Sequence, residues 1–313
     1  MARWLGLLRP DPLVAGPQTL TPARRPIVNA DDFGLSEGVT AGIIQAMRQG
    51  IVTSTSVFAN APDAESGVRR LAAIGCRSIG IHLNLTSGRP LGPVSAPLVA
   101  PDGSFCGATR IWSLGMLGWL PVSVVEAELR RQIEAIKGLG IAVSHLNGHH
   151  HIHVLPQVVP IVAALAREYR VPAVRLPRAT GPGGFGLVRL KWRLISRCAA
   201  RARAVFAEAG LCMPNHFVAW YARGHRTRAE LMAALDTLAA GVTELAVHPG
   251  LRDDTLAAVD SYVEQRPLEL AALCDVAVRH HLHERGIALM SFADLRTEVV
   301  GRPDAELDGR STG

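Results

Sequence analysis

The 313-residue chain is short of most features that mark a specialised class. No stretch approaches the roughly 18 consecutive apolar residues of a membrane-spanning helix. Aromatic residues make up only 5% of the chain, which argues against stacking on single-stranded nucleic acid. The five cysteines, Cys76, Cys106, Cys198, Cys212 and Cys274, are odd in number and form no C-x-x-C pair, so they read as reduced core thiols of a cytoplasmic protein. Neither G-x-G-x-x-G nor G-x-x-x-x-G-K-[ST] occurs, which removes both standard nucleotide-binding loops. No repeat of 20–50 residues is visible, so a solenoid is excluded. The opening MARWLGLLRPDPLVAGPQTL has its apolar stretch broken by Pro10 and Pro12. It lacks the continuous apolar core of a signal peptide and reads as a flexible leader over residues 1–24.

What remains is a chain that can bury a core: 48% of it is hydrophobic and 19% charged. The net charge of +6 and a pI near 9.5 are too mild to imply nucleic acid without a clustered basic patch. From Arg25, short β-like runs alternate with helical stretches. PIVNA (26–30) stops at two aspartates, and Ser36 then caps a helix that ends on Gly50. Strand-like runs follow at 51–60, 78–86, 142–147, 173–177, 243–250 and 287–292. Helical stretches include 125–140, with Leu129, Ile133, Ile136 and Leu139 on one face, 158–169, and one around 267–285. About seven β/α units with almost no hairpin signal predict a parallel sheet closed as a distorted barrel of seven or eight strands. Residues 25–313 read as one domain, with excursions at 87–121 and 179–226.

The polar residues gather at the strand ends, the face on which barrel active sites lie. Asp31 and Asp32 repel each other and call for a cation or a raised pKa. One of them can ligate a metal while the other accepts a proton, although taken alone the pair is more simply an acidic cluster or Asx-turn in a βα loop. NGHHHIH (147–153) places four histidines in seven residues. In an extended chain His149, His151 and His153 would share one face and His150 the other, a set suited to Zn²⁺; the plainer alternative is a solvated loop. His82 sits mid-strand, where a lone histidine is most simply a core residue, and His248 ends a strand before Pro-Gly. Arg175 and Arg178 either clamp an oxygen-rich substrate or form surface ion pairs. In 187–206, Arg189, Arg193, Arg197 and Arg201 recur every four residues opposite an apolar stripe. That pattern fits a helix lying on an anionic membrane surface, or an ordinary helix packed on the barrel.

Taken in order, IVNADDFGLSEGV, GIVTSTSVFANAP, GIHLNLTSGRPL, SHLNGHHHIHVLP, VRLPR and ELAVHPG closely resemble the YdjC-like carbohydrate deacetylases, across roughly residues 25 to 295. The resemblance implies a distorted TIM-barrel-like (β/α) barrel of about seven parallel strands and hydrolysis of an acetylated amino sugar with one divalent metal ion, Zn²⁺ or Mg²⁺. It implies metal ligands at Asp32, His82 and His149, and Asp31 as catalytic base. His248 is then the candidate that protonates the leaving amine, and Asn84, His151 and Arg175 the candidates for substrate binding. One departure stands out: the family commonly has Asp-Ser where this chain has Asn147-Gly148. The basic helix and NHFVAWYARGHRT look like the hopanoid-biosynthesis-associated members, which implies a lipid-linked N-acetylglucosaminyl substrate and peripheral membrane contact through 187–206. Chitooligosaccharide deacetylation, a metal-dependent phosphoesterase and a non-catalytic carbohydrate or lipid binder are the other expectations.

Overall fold

The computed structural model of the chain describes residues 24–178, 186–220 and 226–295. Residues 1–23 of the expected leader, most of the Gly/Pro break at 181–186 and residues 221–225 of the second excursion lie outside them. Six parallel strands form one curled sheet in the order β4-β3-β2-β1-β6-β5. They are β1 (Arg24–Phe33), β2 (Ser54–Val57), β3 (Ile79–Leu83), β4 (Val143–Gly148), β5 (His216–Ala219) and β6 (Gly241–Val247).

Helices follow the strands in the chain, as connections between parallel strands require. The first is α1 (Glu37–Gln49), with Ser36 Oγ accepting the Val39 N–H as its N-cap and Gly50 at its C-cap. Next come α2 (Ala64–Ala73), α3 (Gly107–Leu117) and α4 (Val122–Lys137), then α5 (Val159–Glu168) and α6 (Leu187–Glu208). The buried face of α4 carries Val125 with Leu129, Ile133 and Ile136 of the predicted stripe, while Leu139 lies beyond the helix end at Lys137. Beyond β5 the chain forms α7 (Arg228–Asp236), and beyond β6 it forms α8 (Asp254–Val259), α9 (Gln265–Cys274) and α10 (Val276–Glu284). The single helix expected around 267–285 is therefore two.

Among the described residues the strand count is six, where the sequence predicts about seven. Two predicted strands, 173–177 and 287–292, join the sheet only through single bridges. Val174 bridges Leu146, and Ala173 bridges Cys212, four residues before β5 begins. Pro172 precedes this segment and Pro177 ends it, and neither has an N–H to donate to a longer ladder. The two edges of the sheet are thus linked by isolated bridges, a distorted closure. β5 itself lies inside the excursion at 179–226, where the sequence signals no strand.

The second segment, around Met290, bridges Ile27 below the point where β2 begins to pair with β1. It forms the floor of the sheet. Ile27, Ala173, Val242, Met290, Phe292 and Leu295 make a separate buried cluster there. The backbone N–H of Phe292 donates to Ser54 Oγ (3.0 Å) and that of Ala293 to Ser78 Oγ (3.3 Å). The Phe292 ring stacks on His145 at 3.8 Å. All five cysteines are free, but only Cys198 is buried; the other four are half-buried rather than core thiols.

Phe292 is fully buried, so Phe292→Ala should remove its transfer energy and leave a cavity at the floor. We expect a loss of about 3–5 kcal/mol in urea denaturation, with the strand-end residues left in place. A change below about 1 kcal/mol would mean that the floor does not carry the sheet.

Candidate metal centre

Two successive residues of a strand ordinarily point to opposite faces. Asp31 and Asp32 nevertheless both line one cleft of about 340 Å³ at the C-terminal end of the sheet. The β1–β2 register breaks between Ala30 and Phe33, and Asp32 has a left-handed φ of 67°. This bulge turns the second carboxylate back to the side of the first. Among the described residues only four non-glycines have positive φ: Asp32, His150, His151 and Arg170. Three of the four therefore sit at this one cleft, as backbone strain held at a working site would.

The same conformation corrects the reading of the histidine tract. Residues His149–Val154 form a 3₁₀ turn with His150 at φ 51° and His151 at φ 59°, not an extended run. Of the tract, only His149 joins Asp32 and His82, although His150 and His151 also line the cleft. His151 lines the wall, against Trp192 and Phe217. His153 is fully buried, donates to the Arg175 carbonyl (3.2 Å) and is pushed down to about 3 by burial and by Arg175. His150 donates to or accepts from Thr86 Oγ1 at 2.8 Å, and burial pushes it down to about 2.

At the centre of the cleft, Asp32 Oδ1, His82 Nε2 and His149 Nδ1 form a triangle. Asp32 Oδ1 is 3.3 Å from each nitrogen, and the nitrogens are 3.3 Å from one another. Four ligands at about 2.0–2.1 Å from a tetrahedral ion lie about 3.3–3.4 Å apart, so the triangle has the edge of a tetrahedral site. Asp32 Oδ1 is buried and accepts no hydrogen bond in the structure. An acceptor left so, facing two imidazoles, fits a divalent cation. Phe58 packs edge-on against His149, with ring centroids 4.9 Å apart, and supports the triangle from outside.

Asn147 stands directly across the β3–β4 pairing from His82. Its Nδ2 donates to Asp31 Oδ1 (3.0 Å) and Ser56 Oγ (3.0 Å), and its Oδ1 faces His82 Nδ1 at 2.7 Å. An ionised Asp31 can only accept, which fixes the amide's orientation. His82 Nδ1 must then carry the proton, leaving the Nε2 lone pair toward Asp32 and His149. An aspartate at 147 could not donate to Asp31. A side chain at Gly148 would bring its Cβ to 2.9 Å from His153 Nδ1, so a glycine suits this position.

Each aspartate has its own arginine. Arg175 Nη1 donates to Asp31 Oδ2 (2.6 Å), Nη2 to Asp31 Oδ1 (2.8 Å), and Nε and Nη2 to Glu244 Oε1 (2.8 and 2.7 Å). Arg266 Nη2 donates to Asp32 Oδ2 (2.7 Å) and Asp260 Oδ2 (2.6 Å). Burial alone would raise both aspartates. Arg175 and His82 outweigh it at Asp31, and Arg266 with the two imidazoles outweighs it at Asp32; both sit well below the usual carboxylate range. His82 is raised, because Asp31 and Asp32 overcome its burial. Among the described residues Asp31 Oδ1 accepts from Asn29, Ser56, Asn147 and Arg175, whereas Oδ2 accepts only from Arg175. Oδ2 is thus the oxygen left for a proton, with His248 Nε2 4.0 Å away. His248 Nε2 is also 3.7 Å from Asp32 Oδ2, and burial pushes the ring down to about 4.

Two sequence expectations change. Arg175 is fully buried and spends its donors on two carboxylates, so it is no substrate clamp. The Asn84 side chain bonds Asn60 Oδ1 and Ser87 O, and its Oδ1 accepts the Thr86 and Ser87 N–H groups. Asn84 shapes the loop after β3 instead of lining the cleft, pinned by Gln132 of α4. Arg266, Glu244, Ser56 and Tyr262 were not anticipated. The one hint in the sequence is a glutamate inside the apolar strand TELAV.

A family model described as YdjC-like protein matches residues 25–284. A carbohydrate deacetylase of Geobacillus stearothermophilus is 33% identical over 276 residues, covering 86% of this chain and 96% of its own length. A chitooligosaccharide deacetylase of Proteus mirabilis is 30% identical over 273 residues, covering 86% and 98%. The crystal structure of an Enterococcus faecalis V583 protein, named as a candidate cellobiose-phosphate cleavage protein, shares the fold. Its TM-score is 0.73 at 24% identity, covering 87% of this chain and 99% of that one.

Two outcomes follow from the site. Removing Arg175 leaves Asp31 and Glu244 buried without their cation, so Arg175→Met should lose about 3–5 kcal/mol in urea denaturation at pH 7. In the wild type the stability lent by the depressed aspartates is present above their ordinary value of 3.8 and fades only as the pH falls below it. Asn147→Leu frees His82 from its partner and should weaken divalent-ion binding about 10–100-fold in a chelator competition. The same competition should show weaker binding as the pH falls, because the raised His82 must release its proton to ligate.

Proposed function

The chain belongs to the YdjC-like protein family, and on that premise we propose that it is a divalent-metal-dependent N-deacetylase of an acetylated amino sugar. One observation carries the reading: the 3.3 Å triangle of Asp32, His82 and His149 stands beside a second carboxylate, Asp31, that keeps one oxygen for a proton. The carbohydrate and chitooligosaccharide deacetylases to which the chain is similar support the same reaction class. We assign the barrel domain to residues 25–313.

Asp32, His82 and His149 would hold the ion. When bound, it polarises the acetamide carbonyl and acidifies the attacking water. The chain's own residues do the rest. Asp31 Oδ2 takes the proton of the water as it attacks. Arg175 keeps that carboxylate ionised and aimed, with Glu244 holding Arg175 from behind. His248 is neutral in the free cleft at pH 7, as its value of about 4 requires. Standing 4.0 Å from Asp31 Oδ2, it is placed to receive the proton and give it to the leaving amine. Tyr262 and Trp192 wall the cleft. The tetrahedral edge of the triangle favours zinc over magnesium.

The finer reading is a hopanoid-linked N-acetylglucosaminyl substrate, met by a cytoplasmic enzyme at the inner face of the membrane. It is supported by α6, whose first turns expose Leu187 and Leu190 beside Arg189 and Arg193. Among the described residues no helix is long and apolar enough to cross a membrane, so any contact of α6 would be peripheral. Neutralising Arg189, Arg193 and Arg197 together should lower binding to anionic vesicles, and unchanged binding would count against the contact.

The decisive measurement is acetate release from an N-acetylglucosaminyl hopanoid and from chitobiose after metal loading. Release from either establishes the deacetylase, and the hopanoid alone establishes the lipid-linked branch. Asp31→Asn should lower the rate by about 10²–10⁴-fold. Phosphate release from a phosphate ester in place of acetate would point to the phosphoesterase.

A further inference from the structure

The first half of α6 is a partition between three hollows. Val188, Lys191 and Trp192 line the metal cleft, and Arg189, Arg193 and Arg197 line a basic depression on another side. Leu187, Leu190, Leu194 and Ile195 line a groove of about 450 Å³, whose far wall is α3, including Trp112 and Met116. That volume lies within the range of small-molecule sites. Among the described residues Lys191 is the only ionisable one of the groove, and it also lines the metal cleft, so the two hollows adjoin at its side chain.

Two observations tie the groove to the site. Trp112 Nε1 donates to the His150 carbonyl at 2.9 Å, which fixes α3 to the histidine turn. Leu187 and Leu190 are 83% and 62% exposed, although the same helix buries Ile195, Cys198, Ala202 and Phe206 farther along. Large apolar side chains left in water beside a cleft mark a place where a ligand or partner is expected. Ser113 Oγ is spent on the Thr109 carbonyl, so the groove offers little to a sugar and much to hydrocarbon.

We propose that this groove binds the apolar aglycone of an amphiphilic substrate whose acetylated sugar lies at the metal triangle, with Lys191 at the junction. The proposal rests on the deacetylase reading and adds to it the place of the hydrocarbon.

Calorimetry of the full chain with octyl and methyl N-acetylglucosaminides, below micelle-forming concentration, tests it. The octyl glycoside should bind about tenfold or more tightly than the methyl one. Leu190→Glu, a change at an exposed wall position, should erase that gain and leave methyl glycoside binding unchanged. Leu268→Glu, at an exposed leucine of α9, should alter neither. Equal affinity for the two glycosides overturns the proposal, as does a gain that survives Leu190→Glu or falls equally in Leu268→Glu. So does a dimer in sedimentation that Leu190→Glu dissolves, since a second copy would then be the occupant. Acetate release from the same glycosides is read separately. An octyl gain sensitive to Leu190→Glu without acetate leaves the groove standing and removes the deacetylase. Acetate from both glycosides with no octyl gain does the reverse.

Discussion

Two carboxylates that are neighbours in sequence, buried together at the end of one strand, set the terms for the rest of the cleft. Left alone, Asp31 and Asp32 could not both be ionised in so dry a place. The fold answers with one arginine for each, brought from two distant segments: Arg175 from the stretch after α5, Arg266 from α9. Each arginine then needs a counter-ion of its own, Glu244 for the first and Asp260 for the second. The two aspartates are thereby made different. Asp31 is gripped through both oxygens and keeps little freedom beyond one lone pair. Asp32 is gripped through Oδ2 alone, so Oδ1 is free to face the two imidazoles.

Much of this was legible in the sequence, and the limits are physical. The apolar run into Asp31-Asp32, the Ser36 cap and the face of α4 are local signals, set by neighbours in the chain, and the structure repeats them. The strand count failed at 173–177 and 287–292 because a ladder depends on what the partner strand leaves unpaired. A β-like run flanked by prolines can supply a bridge without being a strand. The histidine tract misled in geometry because left-handed His150 and His151 cannot be foreseen from a pattern that assumes extended backbone. Arg175 misled in role. Nothing in VRLPR distinguishes an arginine that grips substrate from one sealed against a carboxylate, since that choice rests on Glu244, 69 residues away.

Asn147 shows how one amide can serve two neighbours of the site at once. The amide has a donor and an acceptor, and here the two are spent on partners of opposite need: a carboxylate that can only accept and an imidazole that must donate. An aspartate in its place could not make the hydrogen bond to Asp31. The amide oxygen fixes the orientation of His82.

The floor of the sheet also has a consequence in time. Its seal is made by residues 287–295, while the surfaces it covers, Ile27, Ala173 and Val242, belong to segments synthesised much earlier. During translation the upper end of the barrel, with Asp31, His82 and His149, emerges long before its base can be stoppered. Until the last of these residues leaves the ribosome, the nascent chain carries an open apolar well, the kind of surface that chaperones hold and that sticks to other unfinished chains.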